Sequence, residues 1–280
     1  MPAVRGFQMA LCKRMDYDEV EGARFGRFNL ADNSTAIVYR IGDTIIDTGP
    51  PNQWAAVKNY LSEKPIRQVI LTHHHEDHSG NAAPISRRFQ VPVYIDTKGI
   101  RPVSSGFPLK PYQRFFWGRP RPFTPQTMPE TIRTGRGHTL VPISTPGHAP
   151  DHVCLLEPDR KWLFSGDLFL ATRPKLFRAD EDLEGEIQSL MKIAACDFNI
   201  LFCAHKGVVQ NGRDRIREKR DYFVELVDTV KKMHAQGQSV KDITRQVFGR
   251  KNFIGKISFN HICSENLIRQ CLAVDEGKYP

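Results

Sequence analysis

The chain has 280 residues, of which 40% are hydrophobic and 25% charged, the balance of a globular chain rather than a disordered or fibrous one. That length permits one large domain or two small ones, and no apolar run approaches the roughly 20 residues of a membrane span. The net charge of +9 is compatible with an anionic substrate or with RNA without requiring either.

The stretch from Met1 to Arg14 mixes apolar and basic residues without a sustained apolar run, so no secretory signal is expected. The six cysteines (Cys12, Cys154, Cys196, Cys203, Cys263 and Cys271) are scattered and form no CxxC pair. They read as free thiols in a reducing compartment, which makes a cytoplasmic location the expectation. Residues 1–34 carry few signals, although Phe28 and Leu30 alternate as in a first strand. Asn33 and Ser34 lead into the β-branched run Thr35–Tyr39, Gly42-Asp43 forms a hairpin turn, and Thr44–Ile46 is the return strand. Trp54, Val57 and Leu61 share one face of a helix over 52–61, ended by Pro65. Val69-Ile70-Leu71 is a buried strand, 81–89 a second helix, and 91–95 the next strand, with Pro92 at its start or on an edge.

Residues 97–129 contain seven prolines, six Lys or Arg and no acidic residue. That density of proline predicts no long regular structure. Phe107, Tyr112, Phe115, Phe116 and Trp117 alternate with Lys110, Arg114, Arg119 and Arg121. The stretch reads either as a lid or substrate wall for an anionic ligand, single-stranded nucleic acid included, or as an excursion that packs on the surface or in a homodimer contact. Further strands are expected at 139–144, 153–156, 161–164 and 200–203. Beyond Arg213 the spacing of Ile216, Phe223, Val227 and Val230 is helical and Gly237 can stop the helix. Ser239 and Asp242 cap a second helix over 240–248, and a third covers 264–273. A catalytic domain over 1–212 followed by a helical extension over 213–280 is therefore the expected organisation.

The richest chemistry lies in Thr72-His73-His74-His75-Glu76-Asp77-His78-Ser79-Gly80. His73, His75, Asp77 and His78 offer neutral imidazole and carboxylate donors, suited to Zn, Fe or Mn. At a strand end His73 and His75 can point the same way, because side chains repeat every second residue. The following loop can turn Asp77 and His78 towards a second metal, and Gly80 can make the tight turn. The bland alternative is a surface histidine cluster with no ligand role. His74 falls on the other face and reads as a packing or solvent-facing residue. Cys203 reads as a core residue, and His152 as solvent-facing, with support of a ligand near His148 as the alternative.

His73-x-His75-x-Asp77-His78 resembles the signature of the metallo-β-lactamase superfamily. Asp47-Thr48-Gly49, Pro146-Gly147-His148, Ser165-Gly166-Asp167 and Ala204-His205 match its other motifs in the same order. The resemblance implies an α/β fold, a four-layer αββα sandwich, here followed by the small helical tail. It also implies two divalent metal ions, most simply zinc. His73, His75 and His148 would hold one, Asp77, His78 and His205 the other, and Asp167 would bridge them, while Asp47 would orient a ligand. A bridging hydroxide would then be the nucleophile, with Asp77 and Asp167 as the catalytic carboxylates and Asp77 or a water as proton donor; Tyr112 is a further geometric candidate.

The implied function is a dinuclear hydrolase of an ester, thioester or lactone, broadly like glyoxalase II. The β-lactamases of the superfamily lack the bridging Asp, which disfavours antibiotic hydrolysis. The principal alternative is a metal-dependent endoribonuclease of the same fold, favoured by the basic charge and the 97–129 stretch. Less favoured are a persulfide dioxygenase with a single iron, which needs only two His and one Asp, and a non-catalytic scaffold, whose relatives have lost ligands that this chain retains. A flavodiiron centre would need Glu in place of His75.

Overall fold

The computed structural model describes residues 13–28, 34–249, 253–275 and 277. The expectations at Cys12, Leu30 and Asn33 lie outside them. The chain forms two compact units. The first gathers the described residues up to Pro129 with Arg133–His138 and Ala204–Gly207. The second gathers Glu130–Ile132, Thr139–Cys203 and the described residues from Val208 onward.

In the first unit, strands β1 (Lys13–Tyr17), β2 (Val20–Phe25), β3 (Ala36–Ile41) and β4 (Thr44–Ile46) form an antiparallel meander. The chain then changes mode. Helix α1 (Trp54–Leu61) leads to β5 (Gln68–Ile70), α2 (Ala82–Phe89) to β6 (Val93–Ile95), and α3 (Thr97–Ser105) and α4 (Pro111–Phe116) to β7 (Gln126–Thr127). Strands β4 to β7 are parallel neighbours, completing a seven-stranded sheet in sequence order. Parallel pairs need crossovers, which the helices supply. Phe25, Val38, Ile45, Val57, Leu61, Val69, Leu71 and Ile85 form the core between sheet and helices. Because β4 and β5 run parallel in register Ile46 to Ile70, their carboxyl ends share one edge, and Asp47 and the 72–80 loop emerge together.

Residues 97–129 hold no long element, as their proline density predicts, but they do form the short helices α3 and α4. Proline density does not forbid helices when the prolines fall at tolerated places and the ends are capped. The Asp96 side chain accepts a hydrogen bond from the Lys98 N–H at the start of α3. Pro111 occupies the first position of α4, where its missing N–H costs nothing. Only Pro102 lies within a helix interior, and α3 is short enough to carry it.

The second unit is built on a six-stranded sheet ordered β14-β13-β11-β10-β9-β8. Its members are β8 (Ile132–Arg133), β9 (Thr139–Ser144), β10 (Val153–Glu157), β11 (Trp162–Gly166), β13 (Ile200–Cys203) and β14 (Gly207–Val209). Between β11 and β13 lie β12 (Phe177–Arg178), which pairs with β15 (Ile262–Cys263), and α5 (Leu183–Ala194). Helices α6 (Gly212–Ala235), α7 (Val240–Phe248), α8 (Phe253–Ile257) and α9 (Ser264–Ala273) complete the unit. Leu183, Ile187, Leu190 and Ile193 of α5 share one buried cluster with Leu201, Ile216, Phe223, Val227, Ile243, Leu267 and Ile268. The C-terminal helices thus rest on the same core as the sheet. The Ser239 hydroxyl accepts from the Asp242 N–H at the start of α7, the cap expected from the sequence. Strands β9 and β11 are both antiparallel to β10. Their carboxyl ends therefore meet at one edge, where the His148 loop and Asp167 follow them.

Candidate metal centre

In the first unit the 72–80 loop is held by Asp47. Its Oδ1 accepts from the Thr72 N–H at 2.8 Å, and both carboxylate oxygens contact Thr72 Oγ1, at 3.0 and 2.9 Å. Oδ2 lies 2.8 Å from His78 Nδ1. A buried carboxylate there fixes the proton on Nδ1 and leaves Nε2 as the lone-pair donor. Asp47 has φ 59°, a left-handed backbone that a non-glycine residue keeps only when its surroundings enforce it. Thr48 adds a second clamp: its N–H and its hydroxyl both donate to the His78 carbonyl at 2.7 Å. Gly80 is required for a different reason than turn freedom. A Cβ there would lie 2.4 Å from the Glu76 carbonyl oxygen and 2.5 Å from that of Gly49.

His205 follows the same rule as His78. Its Nδ1 lies 2.5 Å from the Thr35 carbonyl, which turns Nε2 towards Asp77 Oδ2 at 3.6 Å. His78 Nε2 lies 3.8 Å from Asp77 Oδ1. The ligating atoms of Asp77, His78 and His205 are all within 4.8 Å of one another, and all three residues are buried. His73 and His75 approach through Nε2 and Nδ1 at 2.9 Å, and His73 Nδ1 is 3.0 Å from Thr72 Oγ1. His74 points elsewhere, as its alternation implied, and packs edge-on against Phe107 with ring centroids 5.0 Å apart.

The second unit repeats the device. His148 Nδ1 lies 2.6 Å from Glu181 Oε1, and Nε2 lies 3.3 Å from Asp167 Oδ2. Burial works against a charged ring here, yet the Glu181 hydrogen bond and the Asp167 and Glu181 charges raise the His148 pKa above its ordinary value. Glu181 is a residue that sequence reasoning missed. It lies 33 positions from His148 and belongs to no motif, and its other oxygen is fixed by the Arg178 N–H at 2.7 Å. His152 corrects the solvent-facing expectation. It is fully buried, its Nε2 accepts from the Asp167 N–H at 3.0 Å, and its Nδ1 lies 2.8 Å from Thr145 Oγ1. An acceptor Nε2 puts the proton on Nδ1, so His152 ties the Asp167 backbone to the end of β9. The Cys203 thiol donates to the Phe169 carbonyl at 2.8 Å, a core contact.

The donor chemistry suits divalent metal ions. His78, His205 and His148 each have Nδ1 held by an oxygen acceptor and Nε2 facing a carboxylate, the outer-shell arrangement that orients metal-ligating imidazoles. No thiolate belongs to either group, so the donors favour a hard or borderline ion.

Residues 30–205 match the metallo-beta-lactamase superfamily, and the chain belongs to it. Among curated relatives, the atrochrysone carboxyl ACP thioesterase of Aspergillus fumigatus is 26% identical over 72% of this chain and 59% of its own length. A hydroxyacylglutathione hydrolase of Legionella pneumophila is 26% identical over 60% of this chain and 59% of its own. The beta-lactamase-like protein 2 homolog of Caenorhabditis elegans is 29% identical over 73% and 66%. The chain thus spans about three fifths to two thirds of the length of these relatives. A beta-lactamase domain protein from Burkholderia ambifaria has the same fold, with TM-score 0.72 and 20% identity over 92% of this chain and 87% of that one. The sandwich fold expected from the motifs is the fold of that neighbour. No helix among the described residues is long and apolar enough to cross a membrane.

Proposed function

We propose that the chain is a dinuclear metal-dependent hydrolase whose substrate is a thioester. His73, His75 and His148 would hold one ion, Asp77, His78 and His205 the other, with Asp167 shared between them. Zinc is the simplest occupant, with iron and manganese compatible with the same donors. The observation that carries the reading is the matched orientation of His78, His205 and His148, each with an oxygen acceptor on Nδ1 and a carboxylate facing Nε2. Bound ions would supply Lewis acidity and lower the pKa of water to about 7.

The chain's own residues prepare the site for that chemistry. Asp47, Thr35 and Glu181 fix which imidazole nitrogen is bare. His152 accepts from the Asp167 N–H and so positions the carboxylate through its backbone. Burial of Asp77 and Asp167 strengthens their interaction with a cation relative to water. The thioester preference rests on the relatives, among which are thioesterases and a hydroxyacylglutathione hydrolase. Ester and lactone hydrolysis use the same machinery and belong in the same screen.

The test is to load purified protein with zinc and assay a short-chain thioester, a lactone and a short RNA side by side, with Asp167→Ala as control. Thioester turnover that disappears in Asp167→Ala together with at least one bound ion is the expected result. Cleavage of RNA alone would transfer the assignment to a nuclease, and an active two-metal Asp167→Ala protein would refute the shared-ligand role.

A further inference from the structure

The basic, proline-rich segment after β6 has a specific placement that the metal centre leaves unexplained. It contacts the 72–80 loop through Gln113 and Phe107. Gln113 of α4, 4% exposed, donates from Nε2 to Glu76 Oε1 at 2.8 Å. Its Oε1 accepts from the Lys110 N–H at 2.9 Å, which fixes the amide's orientation. Phe107 packs on His74. Ser79, the residue after His78, lines a pocket whose other walls are Val103, Leu109, Phe123, Arg119 and Arg121. Glu76 sits between His75 and Asp77 in the chain, so the segment that builds most of the pocket is hydrogen-bonded to the loop that carries the candidate ligands.

The pocket's chemistry is divided. Val103 and Leu109 are buried and give the pocket an apolar wall, Ser79 adds a buried polar group, and Arg119 and Arg121 are exposed. The segment supplies no acidic residue to neutralise them, and among the described residues neither guanidinium has a carboxylate partner. The pocket holds about 60 Å³, room for a few water-sized groups. Exposed guanidinium groups beside a pocket walled by Val103 and Leu109 match a ligand that joins an anionic group to an uncharged arm, since Arg recognises carboxylate and phosphate through paired hydrogen bonds.

We propose that this pocket is the subsite for the thiol arm of the substrate, with Arg119 and Arg121 holding the arm's anionic group. The inference rests on the thioester reading above and narrows it to thioesters of anionic thiols. A phosphopantetheine phosphate and a glutathione carboxylate share the required chemistry, and the experiment separates them.

The experiment has two readouts. Binding comes first, because it does not depend on turnover: S-methyl thioethers of 4′-phosphopantetheine, glutathione and neutral N-acetylcysteamine are titrated calorimetrically into metal-loaded protein. At least one anionic thioether should bind about tenfold or more tightly than the neutral one, the scale of one charge-assisted hydrogen bond, and added salt should erode the difference. Arg119→Gln/Arg121→Gln should abolish that preference while leaving affinity for the neutral thioether unchanged. Which anionic thioether responds identifies the arm. Equal affinity for all three, or a preference that survives in the double variant, overturns the subsite. Hydrolysis of the same three acetyl thioesters is the second readout. The double variant should raise KM for the preferred anionic thioester to that of the neutral one, removing the discrimination between them. Selective thioether binding without hydrolysis of any thioester would retain the anion site and refute the thioesterase reading instead.

Discussion

Lys219 of α6 provides the sharpest test of how the second unit holds the loops that carry His148 and Asp167. Its ammonium is 3% exposed and lies 2.5 Å from Glu186 Oε1, and it donates to the Leu168 carbonyl at 2.7 Å. Leu168 follows Asp167. Glu186 underlies the His148 loop so closely that a Cβ on Gly147 would meet the Glu186 N at 2.5 Å. The two loops that carry His148 and Asp167 are therefore tied to one buried cation on α6. Replacing Lys219 with Met keeps the apolar stem and removes the charge, leaving a buried carboxylate without its counter-ion. Breaking a buried pair in this way costs about 3–5 kcal/mol. At about 2–4 °C per kcal/mol for a domain of this size, the melting temperature should fall by about 6–20 °C. The loss has a pH signature. Burial raises the Glu186 pKa and Lys219 lowers it, so removing Lys219 raises it further. A carboxyl whose folded pKa exceeds its unfolded value, about 4.3, destabilises the fold progressively as pH rises between the two. The variant should thus be closer to the parent at pH 5 than at pH 8. Thermal melts of parent, Lys219→Met and Lys219→Met/Glu186→Gln at both pH values measure this, and the double variant should recover part of the loss. A melting temperature within about 1 °C of the parent at pH 8 would refute the reasoning.

Two further outcomes follow from the same geometry. Asp47→Asn keeps the side-chain shape and tolerates the left-handed backbone, but removes the anion on His78 Nδ1; metal affinity should fall about 10- to 100-fold, read by competition with a chromogenic chelator, with the melting temperature of the metal-free protein little changed. Burial pushes the Cys154 and Cys271 thiols up to about 12, so neither should react with a disulfide reagent at pH 8 in the folded protein, whereas both should react in denaturant, as peptide mapping would show.

The strand and helix order was largely legible because hydrophobic period and capping agreed with the final fold. The strands at Thr44–Ile46, Thr139–Ser144 and Ile200–Cys203 and the helices at Val240–Phe248 and Ser264–Ala273 stand where the pattern put them. Helix α5 went unread although Leu183, Ile187, Leu190 and Ala194 repeat at helical spacing and Glu184 and Glu186 sit in its first turn. The strand pair β1 and β2 was obscured because β1 is mostly exposed and lacks an apolar face. The candidate metal-binding motifs could be seen because each is a short local pattern of residues. Their supports could not: Thr35 serves His205 from 170 positions away and Glu181 serves His148 from 33. Such partners are set by which strand ends share an edge, a property of topology. His152 was misjudged because only the β9–β10 pairing carries it under Asp167. Gly80 was assigned to a turn, whereas close approach of two carbonyls is what excludes a side chain there.

The central claim is a paired metal centre, and metal content per chain tests it most directly. Protein purified without chelators and analysed by elemental mass spectrometry should carry two divalent ions per chain, falling to one or none in Asp167→Ala. A single iron per chain, unchanged by that substitution, would contradict the dinuclear hydrolase and point to oxygen-dependent sulfur chemistry on the same fold.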